Sequence, residues 1–487
     1  MFVGGANIVG SLFLKRGFKA TGQVHLIGTR IGGTFECGGS SFRNPSGTAL
    51  SADRIIVSGS VDFDKGFLAE GRVSLVGATI GGDFACRNGT FKNRSEKIAG
   101  TGVALDVCKA KVAGCVNLNE GFRAEGEVHL IGAEIGGDLD CEGGEFENPP
   151  QGELMGSGTA LKADDLNLKG SVLLGKGFVA NGKVSLVGAR VGGSLYCDGG
   201  RFGQIDLAMA SVRRNLLLGV VPDAKHLVID LTDAAADVLI DEQSSWPGYG
   251  NICLDGFVYR RIIRGPTDSN LRLFWLARQR TFTPQPYRQL AMVLRGLGDD
   301  RGARDVLYEM ENFRRKQQME MWRTHLCHHV KGRVNRLSGW GRYWLARVCG
   351  GVLKESIGYG YRVQRTIYCL AALMLVGAVF FHLGYSRGCV TPTDKDAYSF
   401  FKKRGWVPPY YPEFSSVIYS LENSAPLLRL GQDSAWAPDP APRRSNRLPW
   451  WLTAPALLRL LRRVQIISGW LLATLFVSGV TGIVRKE

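Results

Sequence analysis

Four cysteines, Cys37, Cys86, Cys141 and Cys197, hold the same place in four copies of one phrase, V-x-L-[IV]-G-x-x-[IV]-G-G-x-[FL]-x-C. Regular cysteines raise the prospect of a metal centre or a disulfide ladder. Stacking geometry argues against both. Equivalent positions two coils apart lie about 9.6 Å from each other at the ordinary strand spacing. A disulfide needs Cα atoms within about 7 Å, and zinc gathers four ligands near 2.3 Å. The four cysteines are therefore expected as small, polarisable, buried side chains. An acidic group, Asp138, Asp140, Glu142, Glu145 and Glu147, has the composition for acid–base or Ca²⁺ chemistry. The equivalent positions elsewhere hold Thr34, Ser194 and other uncharged or basic residues, so a solvated face is expected. His325 and His329 share a helical face but have no third ligand nearby in sequence. GSGTAL (156–161) and GYGYRV (358–363) lack the third glycine of a dinucleotide fingerprint, and no P-loop, nucleophile elbow or H-E-x-x-H occurs. No catalytic residue, cofactor site or metal site is assigned from the sequence.

The elements around these residues are easier to read. The chain has 487 residues, with 60 Lys+Arg, 44 Asp+Glu, 11 Cys and 64 Gly. Residues 1–262 carry a net charge of −3 and residues 263–487 a net charge of +19, while 41 of the glycines fall in the first 205 positions. Two physically different halves are joined.

The four copies, 24–42, 73–91, 128–146 and 184–202, recur at periods of 49, 55 and 56 residues, each preceded by a second phrase such as GSVDFDKGFLAEG. Short period-2 runs broken by glycine exclude a helical repeat. Each period divides into two phrases, each long enough for one coil of a right-handed parallel β-helix ending near Ile262. Val24, Leu26, Ile31, Phe35 and their counterparts should line one interior column. Glycine should supply φ > 0 corners, and the variable stretches 43–48, 92–102 and 147–158 should be loops at one corner. The first phrase begins mid-pattern, which calls for a covering partner or an upstream start.

Residues 284–320 read as a helical hairpin with Pro286 in the first turn. Its apolar stripes are Leu290, Val293 and Leu294, then Ala303, Val306, Leu307 and Met310. One such unit cannot bury its own face, so it should cap the last β-coil or pack on the next helix. From Glu311 to Arg365, 12 Lys+Arg face three Glu, interleaved with Trp322, Trp340, Tyr343 and Trp344. Arg333, Arg336, Arg342, Arg347, Arg362 and Arg365 are assigned to a membrane surface with anionic headgroups. Adjacency to an apolar run argues against nucleic acid.

Two runs of 19 residues, 367–385 and 466–484, lack Asp, Glu, Lys and Arg, and spanning needs roughly 17–25 residues. The N-terminus has no basic region ahead of its apolar part and is not a signal peptide. Basic flanks at Lys331–Arg365 and Arg485-Lys486 put both termini in the cytoplasm of an inner-membrane, multi-pass protein, although Arg459, Arg462 and Arg463 oppose this. The fold class is thus a mainly β N-terminal parallel β-helix solenoid (1–262), then a helical hairpin with basic interfacial helices (263–364), and a two-span α-helical membrane domain (365–487).

Between the spans, FSSVIYSLENSAPLLRLGQDSAW (414–436) resembles the pore helix and filter region of two-helix potassium-channel-type modules. The resemblance marks Tyr419, Ser420, Pro426, Leu430, Gly431 and Gln432 as a pore-like segment, re-entrant over 414–432. A T-V-G-Y-G filter is replaced by Leu428-Arg429-Leu430-Gly431-Gln432. A re-entrant segment would need an oligomer to shelter its irregular backbone; the alternative is an extramembrane helix and loop. The whole layout resembles bacterial Gly-rich β-helix-repeat membrane proteins, some labelled membrane-associated oxidoreductases, a label for which no cofactor motif is found. The sequence reading is a non-enzymatic, membrane-anchored scaffold with an unidentified protein partner on the rod and a homo-oligomer as an option. A channel-like module gated by the cytosolic domain is the alternative, and an oxidoreductase follows from the resemblance only.

Overall fold

The computed structural model describes residues 1–93, 102–148, 158–222, 224–328, 347, 351, 364–425, 428–439 and 454–480. They divide into two compact units, Met1–Val306 and Leu307–Glu487.

The first unit is a parallel β-solenoid of about ten turns followed by helices. Asn7 pairs with Arg30, Ile56 with Thr79, Lys111 with Glu134 and Asn167 with Arg190, so an uninterrupted coil holds 23 residues. The strands stack into two long sheets of 19 and 14 strands. One sheet carries two-residue strands in pairs, such as Thr79–Ile80 and Phe84–Ala85, with a Gly-Gly corner between them. Val24, Leu26, Ile31 and Phe35 are buried, as are Cys37, Cys86, Cys141 and Cys197.

The glycines have two distinct reasons. Gly77 takes φ +67°, the left-handed corner expected. Gly81, first of its Gly-Gly pair, is needed for another cause: a Cβ there would overlap the Ser58 carbonyl of the preceding coil. Close approach of stacked backbones, rather than dihedral freedom, selects it.

A second column runs beside the first. Phe18, Phe42, Phe67, Phe91, Phe122, Phe146, Phe178 and Phe202 form a ladder with one ring per coil and successive centroids 5.1–6.3 Å apart. Both repeated phrases feed it, through their [KRE]-G-F and x-x-F ends. Tilted ring pairs at this spacing add roughly 0.5–1.5 kcal/mol each beyond their burial.

The longer coils share one device. Asn44, Asn93 and Asn148 each donate a side-chain Nδ2–H to a carbonyl on the far side of the insertion, at Thr48, Val103 and Thr159, over 2.7–2.9 Å. Each clasp closes the root of its insertion; the shortest, 43–48, is not a loop but a bulge within strand Ser41–Ser51, between the pairings of Arg43 with Glu70 and Thr48 with Arg72. The interiors of the loops at 94–101 and 149–157 lie outside the described residues.

The solenoid ends at strand Val258–Ile263, whose open edge is covered as the hairpin reading required. Helix α1 (Ser269–Leu276) is N-capped by Asp268, whose carboxylate accepts from the amides of Asn270 and Leu271. Helix α2 (Gln285–Gly296) has Pro in its first turn. From α2, Gln289 Nε2 donates to Tyr259 O and Gln285 Nε2 to Phe257 O, while Gln285 Oε1 accepts from Gly256 N. These amides satisfy backbone groups that a further coil would have paired. Leu290, Val293 and Leu294 are buried, as are Ala303, Val306, Leu307 and Met310 at the start of α3 (Asp300–His328).

In the second unit, α4 (Gln364–Ser386) contains the first apolar run, and α8 (Ala454–Val480) holds residues 466–480 of the second and begins twelve residues ahead of it, taking in Arg459, Arg462 and Arg463; residues 481–484 lie outside the described residues. The most apolar windows of the two helices have mean hydropathy 2.1 and 1.4, yet only 17% and 11% of each is buried. A soluble core helix of that composition would be covered, so the two helices are candidate membrane spans. They run antiparallel: Gly384 of α4 lies against Leu458, and Gly377 against Gln465. Between them come α5 (Lys395–Arg404), α6 (Ser416–Ser424) and α7 (Gln432–Ala435), with a two-stranded antiparallel ribbon of Val390–Pro392 and Trp436–Pro438.

Candidate functional site

The segment between the long helices folds around Trp436. This buried side chain packs with Phe381, Val390, Phe401, Tyr419 and Leu458, and its indole N–H donates to Pro412 O at 3.1 Å. From this cap, α6 descends between α4 and α8. Ser415 caps it, its hydroxyl accepting from Ile418 N at 3.4 Å. Tyr419 meets Phe381 edge to face at 4.8 Å.

One turn further on, a polar cluster ties three helices together. Ser420 Oγ donates to Met374 O at 2.7 Å. Gln465 Nε2 lies 2.6 Å from both Ser420 Oγ and Ser424 Oγ. Gly377 and Gly469 admit this approach, because a Cβ at Gly377 would overlap the Ser420 and Gln465 side chains and one at Gly469 would overlap Ser424 O. Met374 lies ten residues into α4, about 15 Å along its axis, and Gln465 about 16 Å into α8. The nine-residue α6 therefore reaches the middle of both apolar helices rather than resting on their ends.

The chain then turns back. Glu422, itself buried, accepts from the amides of Leu430, Gly431 (2.6 Å) and Asp433 (2.8 Å). One carboxylate thus satisfies three N–H groups of the irregular return, so this part of the backbone is paired within a single chain without an oligomer. Gly431 takes φ +89° and opens α7. Gln432 is clamped, accepting from Ser415 N and donating to Glu413 O. Arg462 of α8 donates to Asn423 Oδ1 and Asp433 O and lies 5.6 Å from the Tyr419 ring.

Of the pore-like residues marked in sequence, Tyr419, Ser420 and Gln432 are buried in this assembly, while Leu430 and Gly431 are exposed on the return. Pro426 lies outside the described residues. Sequence reading assigns Gln465, Gly377 and Gly469 no role, and it counts Glu422, with Arg429, towards an extramembrane loop, whereas Glu422 is buried against the return. The available signal was polar and small residues within otherwise apolar runs. Among the membrane-surface arginines, Arg365 lies 5.8 Å from the Tyr308 ring and Arg347 is exposed; Arg333, Arg336, Arg342 and Arg362 lie outside the described residues. His325 is in α3, and His329 lies outside the described residues.

In the solenoid, burial pushes the thiols of Cys37, Cys86 and Cys141 well above the usual range and that of Cys197 up to about 12. Such thiols stay protonated and are poor nucleophiles. Cys108, at a corner, is pushed up to about 12, first by burial and then by its bond to Asp106. No known protein family, curated protein or solved structure is significantly similar to the chain.

The serine–glutamine cluster makes a direct prediction. Gln465→Leu removes the amide shared by Ser420 and Ser424 and should cost about 1–2 kcal/mol, the upper part of the range for hydrogen bonds between membrane helices. Thermal unfolding in detergent should fall by several degrees relative to the outward-facing control Ile467→Ala. Equal melting of the two variants would show that the cluster does not hold α6 in place.

Proposed function

We propose that the chain is a membrane-anchored, non-enzymatic repeat protein whose solenoid is a scaffold rod for a protein partner. The observation that supports this best is the division between the rod's interior and its surface. The described interior positions are filled by side chains of the cysteine–aliphatic and phenylalanine columns, leaving the outside to act. Outward residues form cross-coil pairs such as Arg43–Glu70, Lys92–Glu125, Lys111–Glu134 and Arg123–Glu147. Exposed pairs of this kind add little stability. They present a long surface patterned with both charges, suited to an extended partner. The basic stretch before α4 supports contact with anionic inner-membrane lipid and a cytoplasmic rod, and the resemblance to β-helix-repeat membrane proteins agrees with that layout.

A channel-like module is the second reading, favoured by one feature. Leu428, Arg429 and Leu430 are exposed on the return from α6. A cation beside apolar helices calls for water or another subunit, which a homo-oligomer around this segment would supply. One pair of experiments separates the readings. A photo-crosslinker at outward positions such as Lys111 or Arg123 in native membranes should give a discrete adduct that charge reversal at the neighbouring Glu134 or Glu145 abolishes. The purified chain in liposomes should pass no ions. Ion flux altered by Arg429→Ala, without any discrete rod adduct, would replace the scaffold by the channel.

A further inference from the structure

The repeats themselves single out one corner of the rod. In the coil beginning near Asp53, the corner is closed by a carboxylate–hydroxyl pair: Asp53 Oδ1 accepts from Ser74 Oγ and from Val76 N of the next coil. The coil beginning near Asp164 does the same, with Asp164 Oδ1 accepting from Ser185 Oγ at 2.5 Å and Val187 N at 3.2 Å. At the equivalent corner between these two, Cys108 stands where the aspartate should be and His129 where the serine should be. Asp106 joins them. The potential ligand atoms of Asp106, Cys108 and His129 all lie within 4.8 Å of one another.

We propose that this corner is a transition-metal site of the zinc class, with Cys108 Sγ, a ring nitrogen of His129 and an Asp106 carboxylate oxygen as ligands. The donor set mixes thiolate, imidazole and carboxylate, the combination that zinc accepts and that calcium or magnesium does not. Geometry permits closure. In a tetrahedral zinc site neighbouring ligand atoms are about 3.3–3.8 Å apart, so rotamer adjustment of the half-buried Cys108 and His129 towards the buried Asp106 suffices. Asp106 pairs with His129 in the parallel ladder, so the ligands come from adjacent coils and the ion ties one to the next.

The surrounding groups fit outer roles. Glu127 Oε2 lies 2.6 Å from His129 Nε2, the carboxylate–histidine contact that fixes ring orientation beside a metal. Arg72 holds Asp106 Oδ2, leaving the Oδ1 side, which accepts from Cys108 N at 3.1 Å, facing the cysteine. On binding, the Cys108 S–H bond breaks, the sulfur–zinc bond forms and the proton leaves to solvent. The site lies at the root of the insertion clasped by Asn93, since Val103 pairs with Glu127 across the same two coils. Metal binding there braces the middle of the rod.

The test uses the full chain, untagged, purified in detergent and stripped with a chelator, then titrated with Zn²⁺ alone and with Co²⁺ alone. One Zn²⁺ per chain is expected, and Co²⁺ should give a thiolate charge-transfer band. Cys108→Ser should lose that band and weaken zinc binding by at least about 100-fold. Glu127→Gln should keep the band and weaken binding about 10-fold. The double variant C108D/H129S installs the aspartate–serine pair of the sister corners, so it keeps a proven structural solution and should unfold like wild type while taking no zinc. Absence of stoichiometric zinc in wild type, or equal binding by the double variant, would overturn the site. So would loss of binding in H325A/H329A, which would move the metal to that histidine pair.

Discussion

Phe84→Asp should unfold the rod locally at its second repeat, at a cost well above the roughly 3–5 kcal/mol of a buried Phe→Ala change. Phe84 is fully buried, pairs with Val61 below and Val116 above, and meets the Phe63 ring edge to face at 5.8 Å. Aspartate removes those contacts and puts a carboxyl group among aliphatic and aromatic neighbours with no partner. Ionised, it faces a large desolvation cost; protonated, it still leaves a polar group without hydrogen bonds. A solenoid is close to a one-dimensional stack in which each coil is held by its neighbours. A break inside it should therefore open adjacent coils before the ends. Limited proteolysis should cut within the coils around residues 56–117 in the variant and not in wild type, with a lowered unfolding midpoint. Phe84→Leu should cost less than about 1.5 kcal/mol, and Thr79→Asp, on the exposed side of its strand, almost nothing. Unfolding of Phe84→Asp at the wild-type midpoint would mean that the inward register is wrong.

The repeat was legible because its physical causes are periodic. Every coil needs an inward residue at the same places, so Ile31, Phe35 and Cys37 announce Ile80, Phe84 and Cys86. The apolar helices were legible for a similar reason, since lipid demands length and composition from one continuous stretch. Three features were harder. The phenylalanine ladder draws alternate rings from two phrases that look unrelated in sequence, and only coil stacking makes them one column. Gly81 reads like any turn glycine, but its cause is a carbonyl 23 positions earlier. The polar cluster of Ser420, Ser424 and Gln465 joins residues that are individually ordinary and separated by more than 40 positions. Cys108 carries no periodic signal, since it departs from the repeat that the four buried cysteines obey. In a structural repeat, conformity marks packing and deviation marks a separate task.

The end of the rod rests on a buried ion pair whose loss should be comparably severe. Arg272 of α1 is fully buried and meets Asp241 through two hydrogen bonds of 2.7 Å each. Its Nε donates to Pro266 O at 2.6 Å, and the Trp246 indole donates to Asp241 Oδ2 at 2.8 Å. The guanidinium also lies 5.6 and 5.3 Å from the Trp246 and Trp275 rings. Both charges are desolvated, so the pair as a whole contributes little relative to an apolar replacement, but either charge left alone is costly. Arg272→Ala strands a carboxylate and should destabilise by about 3–5 kcal/mol. The damage should be located at the cap: α1 loosens, strand Val258–Ile263 loses its cover, and its amides exchange faster while the coils around Phe84 stay protected. Replacing both partners separates the cost of an orphaned charge from the value of the pair. R272M/D241L should recover much of the loss, short of full stability because the Trp246 N–H then lacks its acceptor. Hydrogen exchange and thermal unfolding of the single and double variants test this together. If the double variant is as unstable as the sum of the singles, the pair itself, rather than the avoidance of a lone buried charge, holds the cap to the rod.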